Sequence, residues 1–212
     1  VDTLKNFIMQ TRSGRRFVWP FGVSNDKTLS ENILNTGIQL ANRKVCSLAD
    51  SNPEYVGMGT TLAVMLVADS QVLVGHVGDS RVYRYRDGCL KLLTHDHSWV
   101  NEQLSRNIIT EDEAKNHRWR NVITRALGNR WGLEVDIRKI DYDEGDLFIL
   151  CSDGLTGMIE DDRIAGILAE SNGNLENTTG ELIDAANAAG GQDNVSVVLV
   201  RFPSPAEGPG FT

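Results

Sequence analysis

The sequence predicts an α+β fold, or layered sandwich, in which antiparallel β-sheets are covered by helices. Three observations predict it. Residues 59–94 break into short runs rich in Val, Leu and Tyr ("TTLAVMLV", "QVLVGHV", "RVYRYR", "CLKLLT"), parted by "ADS", "GDS" and "RDG". Such runs with tight turns between them read as one antiparallel meander. The elements run in the order helix, several strands, a polar excursion, a strand pair, two helices and a last strand. The βαβ alternation that builds a parallel sheet is absent.

The elements follow in order. Residues 1–27 carry no clear period, and "RSGRRFVWPFG" (12–22) reads as a loop. A helix is predicted over Thr28–Val45, opened by a Thr28/Glu31 capping box and carrying Ile33, Leu34, Ile38, Ala41 and Val45 at helical spacing. In "RVYRYR", Val82, Arg84 and Arg86 share one face and Arg81, Tyr83 and Tyr85 the other, as in a half-exposed strand. Residues 95–130 read as a polar surface excursion, with a second capping box at Thr110/Glu113. Residues 133–140 and Leu147–Cys151 read as a strand pair around the turn "DYDEGD". Helices are predicted from Asp161 or Asp162, with Ile164, Ile167 and Leu168 on one face, and over Leu175–Ala189, closed by Gly190 and Gly191. "NVSVVLVRF" reads as the last strand. Residues 1–203 are expected to form one domain, and the Pro/Gly-rich stretch 204–212 a disordered tail.

Composition narrows the function. The 212 residues are 41% hydrophobic and 24% charged, ordinary for a globular protein. No apolar run approaches about 18 residues, so no membrane-spanning segment is expected. The net charge of −8 argues against a general nucleic-acid binder, which needs a basic face. Arg12, Arg15 and Arg16 form a local basic patch, read as a solvated loop. Cys46, Cys89 and Cys151 are odd in number, far apart and without a CxxC pair, which points to a reducing compartment and away from a zinc ribbon.

Chemistry is suggested by three aspartates in one kind of setting. Asp79 follows "VLVGHVG", Asp153 follows "LFILCS", and Asp193 precedes "NVSVVLV"; each lies close to a glycine at the edge of a strand. One such Asp is usually a turn or cap residue. Three in matching positions suit a metal site at one end of a sheet, because clustered carboxylates repel unless a proton or cation separates them. Oxygen-only ligands point to Mg²⁺ or Mn²⁺. Two other readings of the Asp153 stretch fail on spacing. A haloacid-dehalogenase strand ends in Asp-x-Asp, but Cys151 stands two before Asp153. A cysteine phosphatase needs Arg six after its Cys, but Gly157 stands six after Cys151. Cys151 therefore reads as a small buried hydrophobe. His76 reads as structural, and His95 and His97, flanking Asp96, as cap or loop contacts.

Taken in order, "GMGTTL" (57–62), "VGHVGDSRVYRYRDG" (74–88), "HDHSWVNE" (95–102), "NVITRALG" (121–128), "LCSDGLTGMIEDDRI" (150–164) and "GGQDNVSVVLV" (190–200) resemble the type 2C, or PPM, family of metal-dependent protein serine/threonine phosphatases. The likeness covers about residues 28–202, and its ordered motifs are far more specific than any one alone. The resemblance implies a β-sandwich flanked by helices with a two-metal site at one edge, where a water bridging the ions attacks phosphorus. It implies Asp153 and Asp193 as ligands of the two-metal centre, and Asp79 as a ligand of a weaker third ion found in bacterial-type members. It places Asn194 and Arg81 beside the ligands as orienting or structural residues. It implies phosphorylated proteins as substrates, a Ser/Thr kinase as a partner, Mg²⁺ or Mn²⁺ as cofactor, and a cytoplasmic, bacterial setting.

Two departures stand out. The family's Asp-Gly-x-Gly-Gly-His motif and phosphate-gripping arginine are not among these residues, whose first is Val1. The fold is thus expected to be N-terminally incomplete over residues 1–212, and weak or inactive alone. That departure also admits a second reading, a phosphatase-like binding or regulatory module that has lost catalysis; the three retained aspartates favour the enzyme. Many members also carry Asp four residues after the Ser-Asp-Gly aspartate, where this chain has Gly157, so the third ion is expected to bind more weakly or through water.

Overall fold

The computed structural model describes residues 1–13, 18–68, 71–171 and 173–203. Arg15 and Arg16 of the basic patch, and the tail at 204–212, lie outside the described residues. Two compact units emerge, one of residues 1–78 and 97–140, the other of 79–96 and 141–212.

The first unit places helices α1 (Asp2–Arg12) and α2 (Leu29–Ser51) with a sheet of β1 (Leu62–Ala68), β2 (Gln71–Val77) and β5 (Asp136–Ile140), in the order β1-β2-β5. The Thr28/Glu31 capping box is present in full, and the helix it opens runs further than its apolar period suggested. Helix α1 falls where the sequence shows no clear period, just ahead of the stretch read as a loop. Leu4 and Phe7 bury, and Gly37 of α2 lets α1 approach: a Cβ there would lie 2.4 Å from Leu4 Cδ1. Only two of its eleven residues are buried, so the face it packs is narrow. Leu4, Leu34, Ile38, Leu73, Val77 and Leu127 form this unit's core. Helices α3 (Trp99–Ser105) and α4 (Glu111–Lys115) occupy the polar excursion, and the Thr110/Glu113 box caps α4.

The second unit holds a sheet in the order β4-β3-β6-β7, from β3 (Arg81–Arg86), β4 (Cys89–Leu92), β6 (Leu147–Cys151) and β7 (Val197–Arg201). Helices α5 (Asp153–Thr156), α6 (Asp161–Glu170) and α7 (Leu175–Ala188) accompany it. Ile149, Leu155, Ile164 and Leu182 are fully buried at the centre of its core. Past α7, Gly190 and Gly191 both take positive φ, as expected of a glycine C-cap.

Two expectations about strand partners are corrected. Residues 59–94 are two hairpins in different sheets, not one meander: β1 pairs with β2, and β3 with β4 around the left-handed Asp87-Gly88 turn. The chain changes sheets at Gly78–Ser80. Gly78 takes φ +110°, and a Cβ there would meet Thr61 Cβ at 2.6 Å, so the crossing needs glycine. Likewise β5 and β6 do not pair; β5 joins β2 and β6 lies between β3 and β7. Strand β3 is not simply half-exposed either, since Val82 and Tyr83 on opposite faces are both fully buried. The two antiparallel sheets with their helices agree with the predicted α+β class.

Arg86 of β3 clamps the "DYDEGD" turn. Its Nε donates to Asp146 Oδ1 at 2.5 Å and its Nη2 to Oδ2 at 2.6 Å, and Asp143 pairs with the same guanidinium. Burial would raise the Asp146 carboxyl, but donation from Arg86 and from the Asp143 N–H holds it below 3.8. Its folded value is thus depressed, so this stabilisation is complete above the unfolded value and is lost as pH falls through the folded one. Asp146→Ala, which removes two acceptors of the guanidinium and the acceptor of the Asp143 N–H, is expected to lower the urea midpoint at pH 7, with the difference from the parent closing in acid.

Candidate active site

The register of the second sheet gathers the three aspartates. Arg81 of β3 pairs with Cys151 of β6, and Cys151 pairs with Val197 of β7. Antiparallel pairing makes this row the start of β3, the end of β6 and the start of β7. Asp79 stands two residues before it, Asp153 two after and Asp193 four before. All three therefore lie at one end of one sheet.

Their electrostatics differ. Asp79 is half-buried, and its carboxyl is held above the ordinary value of 3.8, first by burial, then by the Asp153 and Asp96 charges, with its own N–H and Arg81 pulling the other way. Asp153 and Asp193 are exposed. The Asn194 N–H donates to Asp193 Oδ1 at 2.7 Å, which restrains that carboxylate's rotamer. A half-buried carboxylate destabilised by two neighbouring carboxylates is a site that gains from a bound cation. An all-carboxylate donor set suits a hard ion such as Mg²⁺ or Mn²⁺.

Arg81 points to a residue that the sequence reading passed over. Its Nε and Nη2 donate to both oxygens of Asp96 (3.0 Å to Oδ1, 2.7 Å to Oδ2), and its Nη1 donates to the Tyr83 hydroxyl at 3.1 Å. That hydroxyl in turn donates to Asp161 Oδ1 at 2.9 Å. Tyr83 is fully buried, and burial raises its phenol well beyond the usual range, keeping it a donor. Arg81 thus ties β3 to Asp96 and, through Tyr83, to the first turn of α6.

Ser152 is the second residue passed over. Its Oγ donates to the Asn194 carbonyl at 3.1 Å and accepts from the Ser196 N–H at 3.0 Å, while its own N–H donates to the Ser196 carbonyl at 3.0 Å. No neighbour in sequence hints at partners 42 and 44 positions away. Gly154 permits the contact, since a Cβ there would lie 2.3 Å from the Asn194 carbonyl oxygen. An open pocket of about 480 Å³ adjoins Asp193, lined by Ile183, Asn187, Gly191, Gln192, Asn194 and Val195.

Cys151 is buried, and burial pushes its thiol up to about 12 against the opposing pull of Arg81. It packs as a hydrophobe rather than acting as a nucleophile. Gly157 ends α5, where its N–H donates to the Asp153 carbonyl at 2.7 Å.

The first unit holds another polar group. His76, His97 and Asp136 bring ligand-type atoms within 4.8 Å of one another. The Gly78 N–H donates to His97 Nδ1 at 3.1 Å, so the ring proton sits on Nε2 and faces Asp136 Oδ2 at 3.2 Å. Arg125 Nη1 lies 3.2 Å from Asp136 Oδ1. A cation on Nε2 would displace that proton beside a guanidinium and demand a proton on Nδ1, against the Gly78 N–H. Gly78, His97 and Asp136 form a proton-ordered hydrogen-bond chain, which agrees with reading His97 as a loop contact, and the His76 ring packs against that of His97 at 4.7 Å.

Comparison with known proteins agrees with this geometry. The family model described as protein phosphatase 2C matches residues 2–190. The serine/threonine phosphatase stp of Listeria monocytogenes is 39% identical over 171 residues, which span 81% of this chain and 68% of that one. The solved Streptococcus agalactiae serine/threonine phosphatase is 34% identical with a TM-score of 0.77, covering 93% of this chain and 79% of that one. The catalytic domain of the phosphatase PstP, solved in complex with two manganese ions, is 27% identical with a TM-score of 0.71, covering 96% and 82%. The motif order, the sheet that aligns the three aspartates and these matches together make the chain a member of the protein phosphatase 2C family.

Proposed function

We infer that this chain is a metal-dependent protein serine/threonine phosphatase whose divalent cations are held by Asp153 and Asp193, with Asp79 holding a further, weaker one. The observation that carries the ligand assignment is the Arg81–Cys151–Val197 row, which sets all three carboxylates at one sheet end. Two-ion stoichiometry is supported by the manganese in the PstP catalytic domain. Mg²⁺ and Mn²⁺ both suit the donor set. Such ions supply an acidified water and positive charge for phosphoryl oxygens as negative charge develops on them.

The chain's own residues supply position. Asn194 restrains Asp193 through its N–H, and Arg81 neutralises Asp96 and moderates the field at Asp79. Gly157 offers no carboxylate at the position where the family resemblance implies one, which supports weak binding of the third ion. The substrates are phosphoserine and phosphothreonine in proteins, and the natural partner is the Ser/Thr kinase that makes them. Residues 1–203 act as one phosphatase domain, a reading supported by the span of the family match. No helix among the described residues is long and apolar enough to cross a membrane. A cytoplasmic setting is supported by Cys46, Cys89 and Cys151, all of them free thiols.

The test is hydrolysis of a phosphothreonine peptide and of p-nitrophenyl phosphate by the full-length protein, with Mn²⁺, with Mg²⁺ and with EDTA. Turnover with either ion, abolished by EDTA and restored by excess Mn²⁺, is expected. No turnover with any divalent ion would overturn the reading.

A further inference from the structure

We propose that Ser152 is a positioning residue of this centre, setting the spacing between the carboxylates of Asp153 and Asp193. The inference rests on the ligand assignment above and goes beyond it, because Ser152 is not a ligand.

The geometry is specific. The β6–β7 ladder ends at the pair Cys151 and Val197. Beyond it the two chains must diverge, because Asp153 already begins α5. Ser152 delays that divergence by one more step. Its main-chain N–H still bonds Ser196, and its hydroxyl then acts as a backbone substitute, accepting from the Ser196 N–H and donating to the Asn194 carbonyl. The residue directly before one ligand is thereby bonded to the residue directly after the other. Since peptide units are rigid, only a few torsions separate this clamp from either carboxylate.

A second observation argues for the cross-loop role. Ser152 occupies the N-cap of α5, where a serine hydroxyl ordinarily accepts from an amide of the first helical turn. Here it makes no cap hydrogen bond. Its hydroxyl is committed across the loops instead, at the expense of the local bond. Gly154 supports the arrangement, because any side chain there would push the Asn194 carbonyl away. Without the clamp, a metal would have to order the two loops on binding, and affinity falls when that ordering is not already built in.

The test is calorimetric titration of Mn²⁺ into metal-free, full-length protein, for the parent, Ser152→Ala, Ser152→Thr and Asp153→Asn. Ser152→Ala is expected to weaken Mn²⁺ binding about tenfold or more, in the range typical of residues that orient ligands, and Ser152→Thr, which keeps the hydroxyl, to stay within about threefold of the parent. The Mn²⁺ needed for half-maximal turnover should rise with the dissociation constant, while turnover at saturating Mn²⁺ falls far less. If Ser152→Ala does not fold, Ser152→Cys replaces it, and its poorer hydrogen bonding should give an intermediate affinity. Parent-like affinity in Ser152→Ala or Ser152→Cys, or a Ser152→Thr as weak as the alanine variant, would overturn the proposal while leaving the ligand assignment standing. Undiminished binding by Asp153→Asn would instead overturn the ligand assignment, and the role of Ser152 with it.

Discussion

Asp153→Asn is expected to lower Mn²⁺-dependent hydrolysis by more than about a hundredfold, since loss of an orienting residue alone costs 10–100-fold and this change removes a proposed ligand. Asn keeps the shape of the side chain and removes its charge, so the fold should survive while cation affinity does not. The same change should slightly stabilise the metal-free protein. Asp79 is half-buried and carries the repulsion of the Asp153 charge, and removing that charge relieves it. The paired result, activity lost and the urea midpoint in EDTA unchanged or raised, separates a site held against its own repulsion from a structural cap. A residue that merely capped α5 would show the reverse, with stability lowered and turnover per folded molecule retained. Asp193→Asn should lose activity similarly, and its exposed carboxylate should leave stability close to the parent's.

Gly154→Ala should destabilise the protein by about 3 kcal/mol, the upper part of the usual overpacking range. The added methyl would lie 2.3 Å from the Asn194 carbonyl oxygen and 2.8 Å from its carbon. Both are main-chain atoms, so no side-chain rotation relieves the clash. One of the two loops must move, and the bond from the Asn194 carbonyl to Ser152 is the first contact at stake. Urea unfolding in EDTA measures the cost, and Mn²⁺ titration of the same variant measures what loop displacement does to the centre. A variant that melts with the parent would show that the Asn194 loop is free to give way. Glycine is thus needed here for close approach, whereas at Gly78 positive φ also requires it.

Much of this was legible locally. The capping boxes at Thr28 and Thr110 are hydrogen-bond exchanges between residues three apart, and both form as read. Strand β6 has the bounds its apolar run gave, and the Asp87-Gly88 turn takes the left-handed conformation its residues favour. Three aspartates at strand edges were sufficient to suggest a cation site, because like charges need a reason to gather. The family likeness supplied the order of motifs.

What the sequence left open was decided by partners far apart along the chain. Helix α1 packs through Leu4 where Gly37, a residue of another helix, makes room for it, a partner that no local pattern names. Neighbouring strands along the chain, β2 with β3 and β5 with β6, separate into different sheets, since adjacency favours pairing but does not fix it. Ser152 looks like part of a turn until β7 arrives beside it. The sequence by itself determined the short-range choices: where helices begin, where turns reverse, and which carboxylates stand at strand edges. Only tertiary structure decided that Arg81, Cys151 and Val197 share one row, and so that the three aspartates near them lie at one end of one sheet. Caps and turns are settled by bonds within a few residues, whereas register is settled by burial and ladder hydrogen bonds summed over whole strands.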